Sequence, residues 1–239
     1  MLNEKISFSK KNLDLYLREL AKEFRKKNGK YMKAEIILTG GAAIVANYGF
    51  REMTYDIDAI ILASSAMKDV ISTVGNKFDL PAGWMNNDFM RTRSYSSKLV
   101  ECSVYYKTFS NILTVRTIGG EYLIAMKLVS GRKYKNDLSD ITGILMSHEK
   151  KKDPITMDRI GHAVEKLYGS WEIVSEDMKE FITKLINNKS YLEAYSYIRN
   201  EESDNKDILM EIQQENPKAV NEKNINEILS VAREKLKKS

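Results

Sequence analysis

The chain has 239 residues, of which 43% are apolar and 30% charged, and its formal net charge is +5. These values suit a globular protein large enough to bury a core, and the absence of any apolar run near 20 residues or of a signal-peptide core predicts a cytoplasmic protein without a membrane span. One cysteine and two histidines exclude an internal disulfide and the usual His/Cys zinc site, so any metal would be bound by carboxylates, which favours Mg²⁺ or Mn²⁺.

Helical and strand patterns alternate over the first 150 residues. Helices are predicted where apolar residues recur three and four positions apart, and strands where short β-rich runs end at turn residues. In chain order, the patterns predict a helix over 9–28, a strand over 34–40, a helix over 42–48, a strand over 56–62, a helix from about 64 to 78, a loop over 80–90, two strands over 99–106 and 112–118 that pair as a hairpin, and helices over 121–132 and 135–149. This order indicates a mixed α/β fold.

From Pro154 onward the pattern becomes wholly helical. The predicted helices begin near Thr156, Ser175, Ser190 and Asn221. We therefore expect an α/β domain over 1–150 and a C-terminal helical region over 154–239. The helical region either packs on the α/β core or binds a partner, and no catalytic constellation is evident in it.

Two aspartates lie within an otherwise apolar segment, DIDAIIL, at 56–62. Side chains two positions apart on a strand share one face, so Asp56 and Asp58 point the same way. Two carboxylates side by side repel each other, and a divalent cation is the natural compensation because Mg²⁺ prefers oxygen ligands. The alternative is a solvated strand end at which each aspartate caps a turn.

A pair of glycines precedes this segment by about fifteen positions. Gly40 and Gly41 end a predicted strand and open a predicted helix. That arrangement lets backbone N–H groups approach phosphate oxygens, although two glycines also suit a tight turn. A phosphate-binding turn beside a metal-binding carboxylate pair is what the transfer of a phosphoryl or nucleotidyl group needs.

The segment over 39–61 reads TGGAAIVANYGFREMTYDIDAII. It resembles the signature of the nucleotidyltransferase superfamily, whose fold is that of DNA polymerase β, and in particular the bacterial branch that includes AbiEii-type toxins. The resemblance covers residues 34–145. It implies that Gly40 and Gly41 hold the phosphates of a nucleoside triphosphate and that Asp56 and Asp58 bind the catalytic metal.

The resemblance also implies a third carboxylate on a later strand. The candidate is Glu101, in the run LVECSVYY. The alternative for Glu101 is a charge on the solvated face of a half-buried strand, and the two interpretations remain open. Without a third carboxylate next to Asp56 and Asp58, the triad of the superfamily is incomplete.

Three cationic residues fit the same resemblance. Lys127 and Arg132, in AMKLVSGRKYKNDLSDI, are implied to face the triphosphate, with Asp137 and Asp140 fixing them or beginning the next helix. Nearer the glycines, Arg51 either reaches the phosphates or forms a surface salt bridge.

Thr54 matches the small hydroxyl residue found before the aspartates in the superfamily. The resemblance thus predicts an enzyme that moves a nucleoside monophosphate from an NTP to the hydroxyl of an RNA or tRNA end, a protein or a small molecule. It also suggests the toxin of a toxin–antitoxin pair, with a protein antitoxin as partner. A catalytically inactive nucleotide-binding or protein-interaction module on the same fold is the alternative.

Overall fold

The computed structural model describes residues 6–216, 221 and 224–236. Its helices are α1 (Lys10–Asn28), α2 (Gly40–Asn47), α3 (Ala66–Lys77), α4 (Gly120–Ser130), α5 (Asp137–Lys150), α6 (Met157–Tyr168), α7 (Glu176–Asn188), α8 (Tyr191–Glu215) and α9 (Ile225–Leu236). Its strands are β1 (Phe8–Ser9), β2 (Ala34–Leu38), β3 (Met53–Thr54), β4 (Ile57–Leu62), β5 (Met85–Asn86), β6 (Ser103–Phe109) and β7 (Leu113–Ile118). The mixed α/β fold is confirmed.

The chain divides into two compact units. One comprises the described residues up to Met126 together with Ile155–Ile173, and the other comprises Lys127–Pro154 together with the described residues from Val174 onward. This division differs from a single boundary near 150–154. Helix α6 belongs with the sheet, whereas α5 belongs with the C-terminal helices.

The first unit contains a five-stranded mixed sheet in the order β5-β4-β2-β7-β6. Strand β2 lies at its centre, antiparallel to β4 and parallel to β7. Four of the five residues of β2 are buried and apolar, and the fifth, Glu35, is half-buried. A strand that is covered on both faces has this nearly continuous apolar character. The central position of β2 fixes where the glycines that follow it meet the aspartates on β4.

The hairpin of β6 and β7 forms as expected, and its three-residue connection consists of Ser110, Asn111 and Ile112, of which Ser110 and Asn111 form the turn closed by the Ile112 N–H donating to Phe109 O. Both residues have positive φ, 51° and 55°, as in the turns that match the twist of paired strands. The strand β6 starts at Ser103, later than the sequence predicts, and continues to Phe109.

Helix α1 forms where the sequence predicts a helix over 9–28, and local capping residues set its two ends. The Ser9 side chain accepts a hydrogen bond from the Asn12 N–H, and Gly29 has a φ of +80° and donates its N–H to Arg25 O. Its apolar stripe is buried, including Leu13, Leu17 and Leu20. The two ends of α1 are therefore determined by residues next to them in the sequence.

The second unit is helical. Helices α5 and α8 pack against each other, and α9 joins α8 through an apolar cluster of Leu209, Ile225 and Leu229. Thr156 and Ser175 are the N-cap residues of α6 and α7, and Ser190 is that of α8, in line with the predicted helix starts. Within the described residues, no helix combines the length and the apolar character needed to span a membrane.

Candidate active site

The turn between β2 and α2 is fastened to the strand that carries the aspartates. The Thr39 N–H donates to the Asp58 carbonyl oxygen over 2.9 Å, and the Thr39 hydroxyl donates to the same oxygen over 3.2 Å. Thr39 is also the N-cap residue of α2. The first turn of α2 is thereby held at the beginning of β4.

The two glycines are needed for different reasons. Gly40 has a φ of +49°, in the left-handed region that other residues adopt only at a cost. At Gly41, a Cβ atom would lie 2.5 Å from the Thr54 hydroxyl oxygen and 2.9 Å from a guanidinium nitrogen of Arg51. A side chain at Gly40 would therefore strain the backbone, whereas one at Gly41 would collide with Thr54 and Arg51.

The aspartates lie immediately beside this turn. A Cβ atom on Gly40 would lie 3.4 Å from Oδ2 of Asp58, so this carboxylate lies directly beside the glycine. Asp56 precedes β4, is exposed, and accepts a hydrogen bond from the Thr54 hydroxyl over 3.3 Å. Ile57 between them is fully buried and donates its N–H to Trp84 O. The alternation places both carboxylates on the accessible side.

A two-residue ribbon holds Thr54 in place. Strand β3 pairs antiparallel with β1, so that Thr54 lies opposite Phe8, and both residues are buried. Arg51 lies just before β3, and its Nε donates to Met53 O over 3.1 Å. The structure thus brings together six of the residues singled out in the sequence: Gly40, Gly41, Arg51, Thr54, Asp56 and Asp58.

The groups in this cluster suit two kinds of ligand, phosphate oxygens and a divalent cation. The first N–H groups of a helix have no partner within the helix and carry the positive end of its dipole, so they suit phosphate oxygens. Two carboxylates at the same place suit a divalent cation. A polyphosphate and a cation can therefore bind next to each other where β2 ends and β4 begins.

Residues 15–184 match the family described as "Nucleotidyltransferase of unknown function (DUF6036)". This match covers more than half of the chain. The chain belongs to this nucleotidyltransferase family. No curated protein and no solved structure matches the chain significantly.

Glu101 does not join this cluster. It lies in a turn before β6 and is exposed, so the predicted position on a strand is wrong. The turn forms because Cys102 N–H donates to Leu99 O and Ser103 N–H to Val100 O.

The sheet order explains the distance of Glu101 from the aspartates. Strands β2 and β7 lie between β4 and β6, which separates the outer two by about 14 Å at the usual strand spacing. Over the residues that the structure describes, no group of three or more His, Cys, Asp or Glu side chains could hold a metal. Glu101 therefore does not complete a triad with Asp56 and Asp58.

The residue beside Asp58 in the sheet is Asn86, which the sequence did not single out. Strand β5 runs parallel to β4, with Met85 opposite Ile57 and Asn86 opposite Asp58. Met85 and Ile57 are buried, and Asn86 and Asp58 are half-buried. The only sequence signal for β5 was its position in a Gly/Asn-rich segment, because two residues are too short to show an alternating pattern.

The cations Lys127 and Arg132 belong to the second unit. Lys127 Nζ lies 2.7 Å from Asp137 Oδ1 and 2.8 Å from Asp140 Oδ2, and Arg132 Nε lies 2.9 Å from Asp137 Oδ2. Asp137 is fully buried. Burial alone would raise its pKa, but Lys127 and Arg132 outweigh burial and hold the pKa far below the ordinary value. Asp137 thus fixes both cations and also begins α5.

Proposed function

We propose that this chain is a metal-dependent nucleotidyltransferase that moves a nucleoside monophosphate from an NTP to an acceptor hydroxyl. The observation that carries the proposal is the position of the Gly40-Gly41 turn beside Asp58 and Thr54, with Asp56 hydrogen-bonded to Thr54. One half of this cluster suits a triphosphate and the other suits a divalent cation, and the chain belongs to a family of nucleotidyltransferases.

Two carboxylates are a sufficient donor set for Mg²⁺ or Mn²⁺ at such a site. Mg²⁺ is usually bound by one or two carboxylates plus substrate phosphates, and rarely by an all-protein cage. Asp56 and Asp58 would hold the ion, which when bound neutralises charge on the triphosphate.

The residues of the chain bind and orient the reactants. Backbone N–H groups at Gly40 and Gly41 would bind phosphate oxygens, and Thr54 holds Asp56 through its hydroxyl. Arg51, beside Gly41, would add positive charge. In the reaction, the acceptor oxygen bonds to the α-phosphorus, the bond from that phosphorus to the bridging oxygen breaks, and pyrophosphate leaves with the electron pair. The hydroxyl proton passes to solvent.

Lys127 and Arg132 stay predicted triphosphate ligands. Within their own unit both are bound to Asp137, which fixes their positions.

The acceptor is an RNA or tRNA end, a protein or a small molecule, and the net charge of +5 favours RNA. The role as a toxin with an antitoxin partner rests on the resemblance to AbiEii-type proteins alone, and the cytoplasmic location rests on the single cysteine, which fits a reducing compartment. The second candidate function, a catalytically inactive nucleotide-binding or interaction module, is favoured by one observation: the part of the chain that the structure describes has no three-acid group that could bind a metal.

A transfer assay separates the two candidates. The protein is incubated with each α-labelled NTP, Mg²⁺ or Mn²⁺, and RNA, protein and small-molecule fractions. The double variant Asp56→Asn/Asp58→Asn tests the site, and Asp204→Asn, at an exposed position on α8, is the matched control. Label should move to one fraction with the wild type and the control, but not with the double variant. Metal-dependent NTP binding without transfer to any fraction would favour the inactive module.

A further inference from the structure

We propose that Asn86 is the third, uncharged ligand position of the metal site, so that the protein takes up its cation together with the nucleotide. This inference rests on the proposed function, and it concerns which residue stands beside the two aspartates and what charge the site carries.

The position of Asn86 follows from the register of the sheet. Asn86 lies directly opposite Asp58, and strands in a sheet are about 4.8 Å apart. Partners in a parallel ladder point to the same face. The burial agrees with this, because Met85 and Ile57 are both buried and Asn86 and Asp58 are both half-buried. No strand intervenes between Asn86 and Asp58, whereas two strands separate Asp58 from Glu101.

The carboxamide of Asn86 is already oriented. Its Nδ2 donates to Gly83 O over 3.1 Å, and its Oδ1 accepts the Asp88 N–H over 2.8 Å. A carboxamide oxygen has two lone pairs, so Oδ1 has the capacity for a further partner while keeping this bond. Carbonyl oxygens of Asn are ordinary ligands of hard divalent cations.

The identity of this residue sets the charge of the site. With Asn86 as the neighbour, the two aspartates contribute two negative charges, which one divalent cation balances. A third carboxylate at this position would leave an excess negative charge that attracts the cation before any nucleotide arrives. With an amide, additional attraction has to come from the triphosphate, so that metal and nucleotide bind with positive coupling.

Titration with Mn²⁺, followed by electron paramagnetic resonance, tests this. Wild-type protein, Asn86→Asp, Asn86→Ala, Asn87→Asp and Asp58→Asn are titrated with and without a non-hydrolysable NTP analogue. Asn87→Asp is the matched control, because it adds the same charge one position further on, at an exposed residue. Urea denaturation of each variant shows that it is folded.

We expect the wild type to bind Mn²⁺ at least about tenfold more tightly with the analogue than without it. Asn86→Asp should tighten binding without the analogue about tenfold or more, whereas Asn87→Asp should change it less than threefold. Asn86→Ala should weaken binding with the analogue.

Two results are distinguishable failures. In the first, Asp58→Asn abolishes Mn²⁺ binding, but Asn86→Asp binds Mn²⁺ no more tightly than Asn87→Asp, or Asn86→Ala binds it as tightly as the wild type. The role of Asn86 is then wrong and the proposed site stands. If the wild type binds no Mn²⁺ with the analogue, or Asp58→Asn binds it equally well, the proposed function fails and this inference fails with it.

Discussion

Asp56 and Asp137 both stand at the start of a regular element, but the chain surrounds them differently. Asp137 is fully buried, and the cations of Lys127 and Arg132 lie within hydrogen-bonding distance of its carboxylate. Asp56 is exposed, and the neutral hydroxyl of Thr54 donates to it. The charge of Asp137 is already balanced by protein cations, whereas an exposed carboxylate beside a second carboxylate and a helix N-terminus is suited to a ligand.

Asp137→Asn should have the largest effect on stability. It removes the charge that compensates buried Lys127 and the half-buried Arg132, leaving Asp140 as the acidic partner of Lys127. We expect the free energy of unfolding to fall by about 3–5 kcal/mol, as when one partner of a buried ion pair is lost. Urea denaturation at pH 7 measures this. A loss no larger than that of a surface substitution would contradict the contrast with Asp56.

Glu202 provides a pH-dependent test of the same buried region. Its carboxylate accepts the N–H groups of Leu138 and Ser139 at the start of α5, and the Ser139 hydroxyl also donates to it over 2.5 Å. Burial raises its pKa to about 7 from an ordinary value of 4.5, although the bonds from Ser139 oppose this. The folded protein therefore keeps a proton that the unfolded chain has released.

Consequently, this group lowers the free energy of unfolding as the pH rises from about 4.5 to 7. Glu202→Gln removes the dependence while keeping an acceptor for the N–H groups. The variant should gain stability relative to wild type across this window, by up to about 3 kcal/mol at 1.36 kcal/mol per pH unit. Denaturation midpoints at several pH values check this, with the exposed Glu193→Gln as control. A constant difference between variant and wild type would show that Glu202 is charged throughout.

Gly41→Ala tests the packing of the candidate site. The added methyl would collide with Thr54 and Arg51, so we expect a loss of about 1–3 kcal/mol, as in other overpacked sites, together with weaker NTP binding. Gly49→Ala is the control, because a Cβ atom there meets nothing within 4 Å. Equal stability and equal binding for the two variants would argue against the close approach of the turn to Thr54.

Asp56→Asn should have the smallest effect on folding. Its side chain is exposed, and an amide oxygen still accepts the Thr54 hydroxyl, so the free energy of unfolding should stay within about 0.5 kcal/mol of wild type. NTP binding in Mg²⁺ should nevertheless weaken. Calorimetry and urea denaturation on the same preparation separate the two effects, and a large loss of stability would place Asp56 with Asp137 as a structural residue.

Much of the fold was predictable because its signals are local. Ser9 and Gly29 cap α1, and the apolar runs of β2 and β4 mark the two strands that place Gly40 beside Asp58. The grouping of Gly40, Gly41, Thr54 and Asp56 followed from the resemblance to a known signature.

The remaining features depend on long-range pairing. Strands β1, β3 and β5 have two residues each, so no periodicity reveals them, and the register that puts Asn86 opposite Asp58 depends on β4. Glu101 illustrates the converse, because its β-rich neighbours predicted a strand where local hydrogen bonds form a turn. The assignment of α5 to the helical unit likewise reflects its packing against α8, far along the chain.

Calorimetric titration with non-hydrolysable NTP analogues, with and without Mg²⁺, tests the nucleotide site most directly. We predict Mg²⁺-dependent binding to the wild type and to Asp204→Asn, and at least about tenfold weaker binding to Asp58→Asn, since a hydrogen-bonded charge at the site is worth about 1.4 kcal/mol or more. Equal affinity for wild type and Asp58→Asn, or binding that does not depend on Mg²⁺, would contradict the assignment of the Gly40-Gly41 turn and the two aspartates as a metal–nucleotide site.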